Sequence, residues 1–218
     1  MPRLSNLCVL FSLIGFLSGS VMYSYEIPKL VKGIDVRKAA PDRNPGGANA
    51  IHVAGAGIGL VCVALDVLKA FVPVYAAVVF AGIRGAELVP VTAAPVFGHA
   101  FTPFLKFRGG KAIASFFGSM LGLFPLSRIV LLPAAVMFLF KLLLDIRPDS
   151  LCVFAGLFVS CVALLFLEPD PSVRTSFFLT QAVVLYKIAR NPNWGETSIR
   201  IGHRTLRAAD SRPKLRRP

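Results

Sequence analysis

Residues 99–111 read HAFTPFLKFRGGK, a short polar stretch in a chain that otherwise consists mainly of long apolar segments. The stretch brings three cations next to two flexible glycines: Lys106, Arg108, Lys111, Gly109 and Gly110. A Gly-Gly turn exposes backbone N–H groups, and basic side chains beside it allow charge and N–H groups to converge on an anion, usually phosphate. Short basic loops between membrane helices are also common topology signals, so the stretch alone leaves both interpretations open.

The composition indicates a membrane protein. Of 218 residues, 55% are hydrophobic and only 16% are charged, and a soluble domain has about 25% charged residues. The net charge of +13 is concentrated in short loops and at the C-terminus, so we expect anionic lipid and phosphorylated substrates as partners and no nucleic acid. No metal or cofactor is predicted, because the cysteines lie within apolar runs and lack metal-ligand or C-x-x-C spacing: Cys8, Cys62, Cys152 and Cys161.

The apolar runs predict an all-α integral membrane protein with about seven transmembrane helices, since a crossing needs about 20 apolar residues. The runs cover residues 4–25, 51–83, 88–99, 112–124, 126–144, 151–167 and 176–188. We take the first as a retained helix and not as a cleaved signal peptide. The short runs after residues 112 and 176 are expected to be tilted or partly interfacial, and Pro169 and Pro171 exclude a continuous helix before the last one.

A second basic segment, residues 28–49, separates the first two runs. It ends in PDRNPGGAN at residues 41–49, and its charges, prolines and adjacent glycines prevent it from crossing lipid as a helix. It carries five cations: Lys29, Lys32, Arg37, Lys38 and Arg43. The predicted number of crossings places this segment and residues 99–111 on the same side of the membrane.

The distribution of charge predicts the orientation. With residues 28–49 inside, the outer connections hold only Arg84, Arg128 and Arg174, so the positive-inside rule places the N-terminus outside and the C-terminus in the cytoplasm. We therefore expect a multi-pass cell-membrane protein whose active face is cytoplasmic. Residues 1–190 form the predicted membrane domain, and residues 191–218 form a basic, solvated tail on anionic lipid.

Together the two loops supply what phosphate binding requires: cations, glycines and the carboxamides of Asn44 and Asn49. His99 adds a group that exchanges a proton near neutral pH, although a histidine at a helix end is more often a hydrogen-bonded structural residue. Asp66 and Lys69 lie three residues apart in an apolar run. They either face a polar functional interior or form a salt bridge with each other.

These segments resemble the PlsY family, the acyl-phosphate:glycerol-3-phosphate acyltransferases. The resemblance covers residues 19–115 best, and its most specific part is the central motif: Gly98, His99, Phe101, Pro103, Phe104 and residues 106–111. Upstream, Gly19 and Ser20, residues 32–37, and then Asn44, Gly46 and Asn49 are similar to the family's first region. Asp66 and Lys69 fall on the family's Asp-x-x-Lys-Gly segment.

The resemblance implies a seven-helix acyltransferase that passes a fatty acyl group from acyl phosphate to the sn-1 hydroxyl of glycerol 3-phosphate. The products would be lysophosphatidic acid and phosphate, an early step of phospholipid biosynthesis that uses neither acyl-CoA nor acyl carrier protein. The catalytic candidates are Asn44, His99 and Asp42, of which Asp42 would be a weak base beside so many cations. The candidates for substrate binding are Arg37, Lys38, Arg43, Gly46, Gly47, Asn49, Lys106, Arg108, Gly109, Gly110 and Lys111. Possible supporting residues are Ser20, Asp66, Lys69 and Arg190.

Departures from the family pattern keep other functions open. Asp42 and Arg43 replace its Ser-Gly, and Ala112 replaces a glycine after Gly-Gly-Lys. The third motif lacks its histidine and is echoed only by Tyr186, Lys187, Arg190, Gly195 and Glu196. A different polyol phosphate acceptor, or a non-catalytic transporter or binder of phosphorylated solutes, therefore remains an alternative. A membrane-bound O-acyltransferase of the His-x4-Asp type is disfavoured, because no histidine is followed by an aspartate five positions later.

Overall fold

The computed structural model describes residues 5–143, 146–147, 149–190, 198–201 and 204–207, and over these residues the chain is mostly helical. The helices are α1 (Asn6–Ser20), α2 (Tyr23–Lys32), α3 (Val36–Ala39), α4 (Gly47–Ala54), α5 (Ala56–Val79), α6 (Leu88–Ala100), α7 (Ile113–Gly122), α8 (Leu132–Leu143), α9 (Asp149–Leu167) and α10 (Pro171–Arg190). Single 3₁₀ turns lie at Gly85–Glu87, Pro103–Leu105 and Arg128–Leu131.

Within the described part of the chain, four stretches are long and apolar enough to cross a membrane: Asn6–Lys32, Ala56–Val79, Gly85–Leu105 and Ser150–Leu167. A shorter apolar helix lies at Ile113–Gly122. The all-α membrane class predicted from the sequence is confirmed. The number of about seven spans and the orientation of the termini remain predictions.

Helix boundaries differ from the apolar runs at several points. The run at 4–25 is split between α1 and α2, and the run at 51–83 is split at Gly55, whose φ of +91° favours glycine. Helix α10 begins at Pro171, five residues before the predicted start. There the Asp170 carboxylate accepts the Ser172 N–H at 2.7 Å, and proline suits the first helical position.

Three short strands form an antiparallel sheet in the order β1 (Ile146–Arg147), β2 (Ser198–Ile201) and β3 (Arg204–Arg207). In the register, Ile146 pairs with Ile199 and Ser198 pairs with Arg207. The residues of β2, Ser-Ile-Arg-Ile, alternate between polar and apolar types, which is the period of a strand. Part of the segment that we predicted to be a solvated tail is therefore paired with the connection between α8 and α9.

Glycines allow the central helices to approach closely. A Cβ on Gly19 would lie 2.1 Å from the Pro95 carbonyl oxygen, and one on Gly98 would lie 2.2 Å from that of Phe16, so α1 and α6 cross in backbone contact. A Cβ on Gly118 would lie 2.1 Å from the Val67 carbonyl oxygen, which brings α7 equally close to α5. Such small-residue crossings are typical of membrane helix pairs.

A buried ion pair fixes the break between α1 and α2. Lys69 Nζ lies 2.7 Å from Asp66 Oδ1, and both side chains are almost fully buried. The Lys69 ammonium also donates to the Val21 carbonyl, and Asp66 accepts a hydrogen bond from the Ser24 hydroxyl. The salt-bridge interpretation of these two residues is therefore what the structure shows, and the pair sets the direction in which α2 leaves α1.

Candidate functional site

A cavity of about 360 Å³ lies where the two basic loops meet the end of α10. The first loop contributes Asp42, Arg43, Asn44 and Pro45. The chain after α6 contributes Phe101, Phe107, Arg108, Gly109 and Lys111. Helix α10 contributes Tyr186, Lys187 and Arg190. Three segments that are distant in sequence thus form a single concave surface.

The first loop is folded around the Asp42 carboxylate. Its Oδ1 accepts the Asn44 backbone N–H at 3.1 Å and the Asn49 side-chain amide at 2.6 Å. The same Asn49 amide nitrogen donates to the Asn44 carbonyl at 2.7 Å. Arg43 lies between these contacts with a φ of +53°, a left-handed conformation that costs a non-glycine residue about 1–2 kcal/mol. Local hydrogen bonds therefore hold the loop in a strained shape that directs Arg43 and Asn44 to the cavity.

The second loop is anchored to the end of α1 and then turns sharply. The Thr102 hydroxyl donates to the Ser20 carbonyl at 2.7 Å. Lys106 and Phe107 follow, both left-handed, with φ of +53° and +60°. Strain of this kind at two successive residues often accompanies a functional site. Ala112 is also left-handed, with a φ of +60°, which explains a glycine at that position in the family that the motif resembles.

The glycine pair is required by close packing. A Cβ on Gly109 would lie 1.9 Å from the His99 carbonyl oxygen, and one on Gly110 would lie 2.4 Å from His99 Nε2. Both glycines are buried, so the loop runs directly against the C-terminal end of α6. The sequence predicted an anion-binding role for the pair, and the structure adds a steric one.

Gly109→Ala is expected to abolish phosphate binding at the cavity, because the added methyl group overlaps a backbone atom that cannot move without shifting α6. Gly33→Ala is the matched control, since Gly33 is exposed and no atom lies within 4 Å of the position that the new methyl group would take. Gly33 has a φ of +68°, so its alanine variant carries only backbone strain. Binding of glycerol 3-phosphate to both purified variants checks the expectation, and equal affinities would contradict it.

An ion pair joins the two loops. Lys111 Nζ lies 3.0 Å from Asp42 Oδ2 and 3.2 Å from the Ser150 hydroxyl at the start of α9. The side chains of Lys111 and Asp42 are 12% and 10% exposed. The two basic loops therefore lie side by side at one end of the bundle, as the number of predicted crossings required.

The same contacts determine the protonation of Asp42. Burial raises the pKa of its carboxyl, but hydrogen bonds from Asn49, Lys111 and the Asn44 backbone, together with the Lys111 charge, outweigh burial and bring the pKa below its usual value. Asp42 is consequently ionised at neutral pH and is a poor proton acceptor.

The wall formed by α10 consists of residues that the sequence singled out as the weak echo of the third motif, although only Arg190 was named as a candidate site residue. Lys187 Nζ donates to the Ala100 carbonyl at 2.9 Å and lies 5.3 Å from the centre of the Phe101 ring. Arg190, predicted as a supporting residue, stacks on Tyr186 at 5.8 Å. The available signal was the spacing of residues 187 and 190, which puts both cations on one face of a helix. Gly195 and Glu196, the rest of the weak third motif, lie outside the described residues.

The charges of the cavity wall favour a multiply charged anion. Among the lining residues, five are cationic and one is a carboxylate: Arg43, Arg108, Lys111, Lys187, Arg190 and Asp42. A concave site lined by one sign of charge concentrates its field on a ligand of the opposite sign. The arrangement is suited to one or two phosphate groups.

Other predicted loop residues lie outside the cavity wall. Arg37 stacks on Tyr25 at 4.7 Å, Lys38 and Lys106 are exposed, and Gly47 packs against Val63. Gly46 and Asn49 contact Asn44 and help to hold the shape of its loop. Their proposed contacts with substrate remain predictions.

Two buried candidate residues, His99 and Ser20, contact the second loop. His99 is 3% exposed, its Nδ1 lies 3.0 Å from the Ser115 hydroxyl, and its Nε2 faces Gly110. Ser20 is buried and anchors Thr102 through its carbonyl. The structure does not bring His99 to the cavity wall, so its catalytic role remains a prediction that rests on the sequence.

Comparison with known proteins agrees with this geometry. Residues 9–194 match the family model described as glycerol-3-phosphate acyltransferase. A glycerol-3-phosphate acyltransferase of Pseudothermotoga lettingae is 34% identical over 166 residues, which cover 76% of this chain and 79% of that protein. Glycerol-3-phosphate acyltransferase 2 of Thermotoga maritima is 46% identical over 110 residues, and the match covers 50% of this chain and only 55% of that relative.

Two solved structures share the fold. Both are crystal structures of PlsY, described as an integral membrane glycerol 3-phosphate acyltransferase, in a glycerol 3-phosphate form and a lysophosphatidic acid form. The first has a TM-score of 0.75 and 26% identity, covering 86% of this chain and 90% of that chain. The second has a TM-score of 0.73 with the same identity and coverage.

Proposed function

The chain belongs to the glycerol-3-phosphate acyltransferase family, and from that premise we propose that it transfers a fatty acyl group from acyl phosphate to the sn-1 hydroxyl of glycerol 3-phosphate. The observation that carries the proposal is the cationic cavity at one end of an apolar helix bundle. An enzyme that joins a lipid to a water-soluble phosphate needs a phosphate site that opens beside the membrane. The crystal forms of the structural relative contain the acceptor and the product of this reaction, by their descriptions.

The reaction requires the protein mainly to align the two reactants and to stabilise their negative charge. Acyl phosphate is an activated mixed anhydride, so the acceptor hydroxyl oxygen can bond to the acyl carbon while the bond from that carbon to the phosphate oxygen breaks. The hydroxyl proton ends on the departing phosphate, which leaves as HPO₄²⁻, and no covalent nucleophile is needed. Holding both reactants in the reactive orientation supplies much of the rate.

We assign phosphate neutralisation and oxyanion stabilisation to different residues of the cavity wall. Arg108 and Lys111 come from the second loop and Lys187 and Arg190 from α10, so two phosphate groups can be neutralised together. We assign to Asn44, which is largely buried and lines the wall, the donation of a hydrogen bond from its amide to the oxyanion that develops on the acyl carbonyl.

Purified full-length protein in detergent, supplied with palmitoyl phosphate and a panel of polyol phosphates, tests this function. We expect phosphate release together with lysophosphatidic acid when glycerol 3-phosphate is the acceptor. Release with another polyol phosphate alone would reassign the acceptor. Binding or transport of glycerol 3-phosphate without consumption of palmitoyl phosphate would overturn the enzymatic function in favour of a transporter or binder.

We further propose that the cavity faces the cytoplasm, since the basic loops surround it. Lys38→Cys, at an exposed position near the first loop, is expected to react with a membrane-impermeant maleimide only after cells are permeabilised. Ala86→Cys, exposed in the turn before α6, is the matched control and should react in intact cells. The labelling is done in a Cys161→Ser background, because Cys161 is partly accessible and Cys8, Cys62 and Cys152 are buried. The reverse pattern would place the cavity outside.

A further inference from the structure

The carboxylate of Asp42 is bound by a set of donors that suits a phosphate. Its two oxygens receive the Lys111 ammonium at 3.0 Å, the Asn49 amide at 2.6 Å and the Asn44 backbone N–H at 3.1 Å. An ammonium, a carboxamide and a loop N–H are the groups that commonly bind phosphate oxygens. The chain therefore places an anion of its own where an anionic ligand would find its donors.

We propose that Asp42 is an internal competitor for the phosphate subsite at Lys111, and that a bound phosphate displaces its carboxylate. The inference rests on the proposed function for the identity of the ligand, a phosphate monoester or acyl phosphate. It concerns a residue that departs from the family pattern, since Asp42 stands in place of a serine in the loop that this sequence resembles.

Electrostatics opposes simultaneous occupancy. Lys111 is held between Asp42 and the Ser150 hydroxyl, and only 12% of its side chain is exposed, so little of the ammonium is open to another anion. A phosphate that contacts Lys111 would lie within a few ångströms of the ionised Asp42 carboxylate, and like charges at that distance repel strongly in a partly buried site. Phosphate contact with Lys111 therefore requires the carboxylate to leave.

Competition of this kind weakens the binding of every anion at the subsite. When only a fraction of the protein has the subsite open, the apparent affinity for every anion falls by that fraction. Small monoanions, which gain little beyond Lys111, are then excluded in practice. A phosphate dianion that also reaches Arg108 or Arg190 in the same wall compensates for the displacement.

Asp42→Asn tests the inference with little disturbance of the loop, because the remaining side-chain oxygen can still accept from Asn49 and from the Asn44 N–H. Affinities of the full chain in detergent for sn-glycerol 3-phosphate and for inorganic phosphate are measured by titration calorimetry. We expect Asp42→Asn to bind about tenfold more tightly than the unaltered protein, as expected when the competing state is removed. Asp35→Asn is the matched control. It removes one negative charge from a neighbouring turn, where Asp35 caps α3, and should leave the affinity unchanged.

A purely structural role for Asp42 predicts the opposite sign, since loss of the tie to Lys111 would loosen the loop and weaken binding. Asp42→Ser, which also lacks the charge, should show the same gain as Asp42→Asn. In a Lys111→Met background the gain should vanish. The same titrations are repeated with hexadecyl phosphate, a stand-in for the lipid donor. The ligand whose affinity increases more on Asp42→Asn substitution identifies the reactant whose phosphate occupies the subsite.

Weaker or equal binding by Asp42→Asn overturns the inference and leaves the proposed function standing. A gain that persists in the Lys111→Met background also overturns it, because the effect would then come from net charge. Absence of phosphate binding in every variant overturns the inference together with the proposed function.

Discussion

Replacement of Lys111 by methionine is expected to lower acyl transfer by about 10²- to 10³-fold, the range seen when one charge-stabilising donor is removed from an active site. Lys111 connects the second loop to Asp42 in the first loop and to Ser150 in α9, and it lines the cavity. Its loss removes the phosphate donor that we propose and also leaves the Asp42 carboxylate uncompensated in the cavity. The first effect weakens the binding of the phosphorylated reactants, and the second repels them.

Phosphate release from palmitoyl phosphate, measured with the purified variant, checks this expectation. Lys32→Met is the matched control, because Lys32 is exposed at the end of α2 and does not line the cavity. The two variants change the net charge equally, so only the position of the lysine differs. Equal turnover by the two variants would show that Lys111 does not contact the reactants.

Lys69→Met is expected to destabilise the protein by about 3–5 kcal/mol, since it leaves a buried carboxylate without its partner. Lys69 and Asp66 are 2.7 Å apart, with side chains 2% and 1% exposed. The substitution also removes the hydrogen bond to the Val21 carbonyl at the break between α1 and α2. For a chain of this size the loss corresponds to a melting temperature roughly 10 °C lower in detergent.

The double variant Asp66→Asn, Lys69→Met separates charge from packing. It leaves no buried charge, and the amide oxygen introduced at position 66 would still accept a hydrogen bond from the Ser24 hydroxyl. The melting temperature of the double variant should therefore be well above that of Lys69→Met. If Lys69→Met alone melted at the same temperature as the unaltered protein, the ion pair would contribute nothing to the stability of the fold.

Local sequence patterns were sufficient for the helical membrane class and for the meeting of the two loops. Apolar runs predicted membrane helices, and the number of crossings put residues 41–49 and 106–111 at the same end of the bundle. Charge and glycine content then indicated a phosphate site. The Lys111–Asp42 contact of 3.0 Å confirms that these segments meet.

Features that depend on distant contacts were not predictable in the same way. In the sequence the first apolar run is continuous. In the structure it is split at Val21, because the ammonium of Lys69, 48 residues later, donates a hydrogen bond to the Val21 carbonyl. Lys187 was noted only as part of a weak echo of the third motif, and the sequence did not show the contact with the Ala100 carbonyl that brings it to the cavity. Gly109 was interpreted as a flexible residue, whereas its place is determined by how closely the loop passes His99.

An experimental structure of the full chain with sn-glycerol 3-phosphate bound is the most direct measurement. The phosphate is predicted to lie between the first loop, residues 107–111 and α10, with a phosphate oxygen about 3 Å from the Lys111 ammonium. A phosphate bound elsewhere on the bundle, or the two basic loops at opposite ends of it, would contradict a shared cationic cavity.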